Sequence, residues 1–118
     1  MLKTTAATNI GLIRQTNEDS YICINPKTYA VADGMGGHAA GEIASKLLVN
    51  TIEKFFSEKH LVKIDQDVLA EIILQANKKK KKKAEKHTEY AGMGTTASLL
   101  HIEADTCFWA HIGDSRIY

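Results

Sequence analysis

Asp33 closes the apolar run "TYAVAD", and four glycines (Gly34, Gly36, Gly37 and Gly41) occupy the next eight positions. A carboxylate followed by so much bare backbone suits two jobs: holding a ligand against main-chain atoms, or turning a tight strand-to-helix corner. A phosphate loop is a poor fit. Gly36-x4-Gly41 has the opening spacing of a P-loop, but Glu42 and Ile43 stand where a lysine and a hydroxyl are required, and a glutamate repels phosphate. The looser dinucleotide pattern, Gly34-x-Gly36-x-x-Ala39, matches weakly. It would set Asp33 against a pyrophosphate, and Glu53, roughly where a ribose-binding acid belongs, falls in helical periodicity rather than at a strand end. A hard divalent cation meets both objections, because carboxylates and backbone carbonyls are its natural ligands. Two more acid-bearing stretches could converge on such an ion: "RQTNED", with Arg14, Glu18 and Asp19, and "HIGDSRIY", with Asp114 and Arg116. Each also has a plain structural reading. Asp33 could cap a helix, Asp114-Ser115 could form an ordinary turn, Glu18 and Asp19 could flank a strand, and Arg14 could pair at the surface.

The elements that must position these residues follow from periodicity. "SYICIN" (20–25) and "TYAVAD" (28–33) read as strands joined by a turn at Asn25-Pro26-Lys27. The period then changes. Ile43, Leu47, Leu48, Ile52, Phe55 and Phe56 recur at three- and four-residue steps, predicting a helix over about 39–58. A second helix carries Val68, Leu69, Ile72, Ile73 and Ala76 on one face, with "KIDQD" supplying its acidic start. From "TTASLL" onward the pattern alternates again, with Glu103-Ala104-Asp105 as a hairpin turn. Strands, two helices, then strands is not the alternation of a doubly wound parallel sheet; a layered α+β arrangement is expected.

Composition narrows the class. The 118 residues allow one domain with a small core, and 44% apolar with 25% charged residues is ordinary for a globular chain. A net charge of +1 gives no global reason for a nucleic-acid or membrane partner. No apolar run approaches the roughly 20 residues of a membrane span, and the start does not resemble a signal peptide. A cytoplasmic protein is the expectation, with Cys23 and Cys107 as reduced, buried thiols. The lysine run at 78–83 holds six of fifteen basic residues, so the charge is concentrated. It reads either as a site for an anionic partner or surface, or as a solvated helix end that suits the helix dipole.

"GLIRQTNEDSY", "VADGMGGHAAGEIAS", "GMGTTAS" and "HIGDSRIY", in this order, resemble the N-terminal half of a bacterial metal-dependent serine/threonine phosphatase of the PP2C (PPM) family. The resemblance runs over nearly the whole chain, from about Gly11 to Tyr118. It implies a four-layer αββα sandwich, an antiparallel β-sandwich flanked by helix pairs, of which the chain would be a truncated part. It implies two Mn2+ or Mg2+ ions, with a possible third, weaker site. Asp33 matches the acid bridging both metals, Gly34 the carbonyl donor, and Glu18 and Asp19 acids holding the cluster directly or through water. Asp114 matches an acid of the third site, and Arg14 the arginine gripping the substrate phosphate. His38 matches the glycine-loop histidine, a candidate proton donor; Met35 stands where animal relatives place theirs. The family's later Ser-Asp-Gly and Asp-Asn ligands have no counterpart before Tyr118, so the chain alone is expected to be inactive.

The implied reaction is hydrolysis of phosphoserine or phosphothreonine in proteins by a metal-activated water, in a system with a cognate serine/threonine kinase. Two other classes stay open: a non-catalytic phosphatase-like module that binds a phosphoprotein or regulator, and a structural fragment. His87 and His101 are read as structural, and Thr95 and Thr96 as strand-packing residues.

Overall fold

The computed structural model describes residues 2–24, 27–37, 40–58 and 63–118. Strand β1 (Asp19–Ile24) and strand β2 (Thr28–Met35) form an antiparallel hairpin in the register Asp19↔Asp33 through Ile24↔Thr28. Of the expected turn, Asn25 and Pro26 lie outside the described residues; the Lys27 amide donates to the Ile24 carbonyl at 3.2 Å. β2 runs two residues beyond the expected end, through Gly34 and Met35, because a two-residue strand β3 (Gly94–Thr95) pairs with that extension.

Helix α1 (Ala40–Glu58) matches the predicted span, although Ala39 lies outside the described residues. Its buried stripe is smaller in volume than periodicity suggested. Ala44, Ser45, Leu48, Ile52 and Phe55 are buried, whereas Ile43, Leu47 and Phe56 sit half-buried at the flanks. Small residues face inward because β2 presents Ala30 and Ala32 to the helix, which brings it close to the sheet. Helix α2 (Gln66–Lys86) begins where "KIDQD" predicts: the Asp65 carboxylate accepts from the Val68 amide at 3.0 Å. That satisfies one of the free donors of the first turn. Leu69, Ile72, Ile73 and Ala76 are buried, and Val68 is half-buried.

Strands β4 (Ala97–Glu103) and β5 (Thr106–Ile112) form a second hairpin around the two-residue loop Ala104-Asp105. The sheet order is β1-β2-β4-β5, every neighbouring pair antiparallel, with β3 on the β4 line beside the end of β2. Both helices lie against one face, over a core of Ala30, Leu48, Ile52, Leu69, Ile72 and Leu99. The fold is α+β, as expected, and the described residues supply one helix layer and one sheet layer of the sandwich.

The sheet's other face is largely uncovered, and strand alternation sends Tyr21, Val31 and Trp109 onto it at 46%, 48% and 54% exposure. This corrects the expectation for the cysteines. Cys23 and Cys107 are free thiols, but both are exposed, because β1 and β5 turn them away from the helices. His101 is structural, as expected. It is buried, its Nδ1 lies 2.7 Å from the Thr28 hydroxyl, and its Nε2 lies 3.0 Å from Glu103 Oε2. Among the described residues no helix is long and apolar enough to cross a membrane.

Candidate active site

The register of the first hairpin does most of the assembly. Asp19 opens β1 and Asp33 lies directly opposite it on β2, both on the uncovered face, so two carboxylates stand side by side. Partial burial pushes the Asp33 carboxyl above its usual range, and the adjacent Asp19 adds to this through its charge and a side-chain hydrogen bond. The charge of Asp114 pushes the same way, while the Arg14 guanidinium pulls it down. Four of the sequence-predicted residues are therefore within electrostatic reach of one another. Asp114 arrives through the turn after β5, where Gly113 adopts φ +106°, a conformation that favours glycine. A cleft of about 460 Å3, lined in part by Asp19, Asp33, Ser115, Tyr21 and Thr8, opens over the pair.

Glu18 goes elsewhere. One residue out of step with Asp19, it falls on the helix side of β1 beside Ser20, whose hydroxyl lies 2.9 Å from that of Ser45 on α1. The Glu18 carboxylate sits against Gly41 in the first turn of α1, where the positive end of the helix dipole favours an anion. Its carbonyl also accepts from the Gly34 amide at 3.0 Å. Gly34 itself is pressed against Gly41: a Cβ there would collide with the Gly41 carbonyl. Close approach of helix to strand is thus a reason for glycine at 34, beside the carbonyl donation implied by the resemblance. His38 lies outside the described residues.

The structure adds two residues that spacing did not single out. At Asp33 the strand ladder is interrupted, and Thr96 fills the break. The Thr96 amide donates to the Asp33 carbonyl at 2.9 Å, while the Asp33 amide donates to the Thr96 hydroxyl, also at 2.9 Å. The Thr96 carbonyl is turned aside to accept from the Thr95 hydroxyl at 2.8 Å, and the Thr96 hydroxyl lies 2.7 Å from that of Ser115. One threonine therefore fixes the backbone of Asp33 and ties it to the Asp114-Ser115 turn. His111 supports the same turn: its Nε2 lies 2.8 Å from the Gly113 carbonyl and its Nδ1 2.8 Å from the Ser98 hydroxyl. "GMGTTAS" held the signal for Thr96, but a strand of two residues is too short to show a period.

A divalent cation is chemically suited to the Asp19–Asp33 pair: the donors are oxygens only, and their mutual repulsion is what a cation relieves. Among the described residues, however, no group of three His, Cys, Asp or Glu side chains is placed to hold a metal.

Two helices lie on one face of the sheet, and paired aspartates, an arginine and an acidic turn gather at its other face. Residues 14–118 match the protein phosphatase 2C family model, and the chain belongs to that family. It is 35% identical to the serine/threonine protein phosphatase PstP of Mycobacterium tuberculosis, over 100% of this chain and 23% of that protein. It is 33% identical to the protein phosphatase PhpP of Streptococcus pneumoniae, over 93% of this chain and 47% of the relative. Among solved structures, the PstP catalytic domain in complex with two manganese ions superposes with a TM-score of 0.78 at 34% identity, over 92% of this chain and 46% of that one. The chain thus spans less than half the length of these relatives.

Proposed function

We propose that the chain is the N-terminal part of a catalytic domain that hydrolyses phosphoserine and phosphothreonine in proteins with Mn2+ or Mg2+, and that it is inactive alone. The juxtaposition of Asp19 and Asp33, with Asp114 and Arg14 in electrostatic reach, carries the reading. When bound, the cations would neutralise phosphoryl charge and activate a water. Asp33 and Asp19 would hold them, with Gly34 adding its carbonyl and Asp114 serving the weaker site. Arg14 would take the substrate phosphate through its planar, two-pronged donor fork. Glu18 would serve chiefly from behind, anchoring the start of α1 to β1 and thereby the loop that follows Asp33. His38 remains a proposed proton donor. A cytoplasmic location and a cognate kinase belong to the same reading.

The test is a graft. Replacing the matching segment of the PstP catalytic domain with residues 14–118 should give Mn2+-dependent release of phosphate from a phosphothreonine peptide. A folded graft without turnover overturns the reading. The alternative is a non-catalytic phosphatase-like module that binds a phosphoprotein or regulator through the same cleft. A graft that binds the phosphopeptide with Mn2+ present but never releases phosphate would select that alternative.

A further inference from the structure

Seven of the nine residues from 78 to 86 are lysine, and the phosphatase reading uses none of them. All lie in the C-terminal half of α2. The helix dipole accounts for Lys83 and Lys86 in the last turn, but its influence fades within that turn. Among the described residues no ion pair reaches any lysine of the run.

Their arrangement is one-sided. Lys80 and Lys83 are half-buried, with Lys80 lining an apolar groove beside Leu48 and Ile73. Lys78, Lys79, Lys81, Lys82 and Lys86 are exposed and, at 3.6 residues per turn, fall within an arc of roughly 160° opposite the buried Leu69, Ile72 and Ala76. Leu74 lies within the same arc one turn before Lys78 and is 60% exposed. Glu85 is the one acid among these nine residues, and Asp67 and Glu71 lie on the same side nearer the helix start.

We propose that this face of α2 docks on an anionic lipid bilayer. A flat, negatively charged surface is matched by a convex helix face carrying clustered lysines, with Leu74 at its N-terminal end where the face meets the apolar groove. A nucleic acid is matched less well: α2 has no arginine to grip phosphate or base edges bidentately and no aromatic ring on which a base could stack. The placement also fits an enzyme. α2 lies on the helix side of the sheet, whereas Asp19 and Asp33 face the other side, so a docked molecule would hold its cleft away from the lipid. The expectation of no membrane partner came from a net charge of +1, which averages away a local concentration of seven of the fifteen basic residues.

Sedimentation with vesicles tests the proposal on the 118-residue chain. It should bind phosphatidylcholine vesicles that contain phosphatidylglycerol, release as salt rises, and ignore pure phosphatidylcholine. Replacing Lys78, Lys79, Lys81 and Lys82 together by glutamine, a good helix former, should lower the partition coefficient at least a hundredfold, about fivefold per lysine. Circular dichroism should show the helix content unchanged. Leu74→Ser should weaken binding severalfold without altering the salt dependence. Equal binding to neutral vesicles, or an unaffected quadruple variant, overturns the proposal. Tighter binding to duplex DNA than to anionic vesicles at the same salt also overturns it, and assigns the face to nucleic acid.

Discussion

Asp33 is held in a state that costs the fold something. Its carboxyl is pushed up by burial, by Asp19 and by Asp114, so the folded protein resists its ionisation. A carboxyl whose folded value is raised favours the folded state fully below the usual carboxylate range, and that contribution disappears as pH rises through the raised value. Asp33→Asn should therefore stabilise the chain at neutral pH, though only slightly, because solvent screens a pair this exposed. The same change should remove most activity from the grafted enzyme. Thermal melts at neutral and acidic pH, together with phosphate release, check both; a graft retaining half its turnover at saturating Mn2+ would end the bridging assignment. Thr96 acts on the same residue from behind. Thr96→Val leaves the Asp33 amide without its acceptor, while Thr96→Ser keeps the hydroxyl. The valine variant should raise the Mn2+ concentration needed for half-maximal activity of the graft at least tenfold, with serine restoring it. Equal losses in both variants would reduce Thr96 to a packing residue. Asp19, Asp33, Asp114 and Arg14 were singled out in the sequence by type, spacing and resemblance, and the fold brings these four within electrostatic reach of one another. Thr96 was not legible there, because its importance lies in which backbone groups its hydroxyl replaces.

The elements were legible where a period runs long enough. Both helices and both hairpins follow from apolar spacing, and the start of α2 follows from a single side chain, Asp65. What escaped was β3 with the matching end of β2, where glycines leave no pattern, and the outward side of β1 and β5, where an apolar residue need not be buried. The β4–β5 hairpin carries a local flaw. Ala104 adopts φ +50°, in the left-handed region that penalises a Cβ by about 1–2 kcal/mol. Part of that is offset by the greater freedom glycine has when unfolded. Ala104→Gly should accordingly stabilise the chain by about 0.5–1 kcal/mol, seen as a higher urea midpoint at constant slope. An unchanged or lower midpoint would mean that the loop is not strained. The same hairpin ends on Glu103, whose carboxyl is held below its usual range first by the His101 hydrogen bond and then by Lys27. A lowered carboxyl contributes stability above the usual glutamate range and loses it as pH falls through the lowered value. Wild type should thus lose stability on acidification faster than Glu103→Gln; parallel pH profiles would remove the hydrogen bond from the account.

At the scale of the whole molecule the sheet is asymmetric: helices cover one face, and Tyr21, Val31 and Trp109 stand half in water on the other. Segments at both ends reach over part of this face. Thr4 donates to the Tyr29 hydroxyl at 3.0 Å, and Ile117 helps line a groove with Tyr21, Val31 and Leu100. They leave Trp109 at 54% exposure, on β5, which is an edge strand among the described residues. An apolar face beside an open strand edge has two routes to lower free energy, stacking on another sheet about 10 Å away or extending the ladder. The chain in solution should therefore self-associate as concentration rises. Light scattering should show the mass increasing, and Trp109 emission should shift to the blue as its ring leaves water. Val31→Lys places a charge at the centre of the exposed face without touching the helix side, and it should shift the equilibrium back towards monomer. Mn2+ should leave association little changed, because Asp19 and Asp33 lie at the end of this face and not at its apolar centre. A chain that stays monomeric up to its solubility limit, with Trp109 emission independent of concentration, would show that the terminal segments cover the sheet well enough to satisfy it.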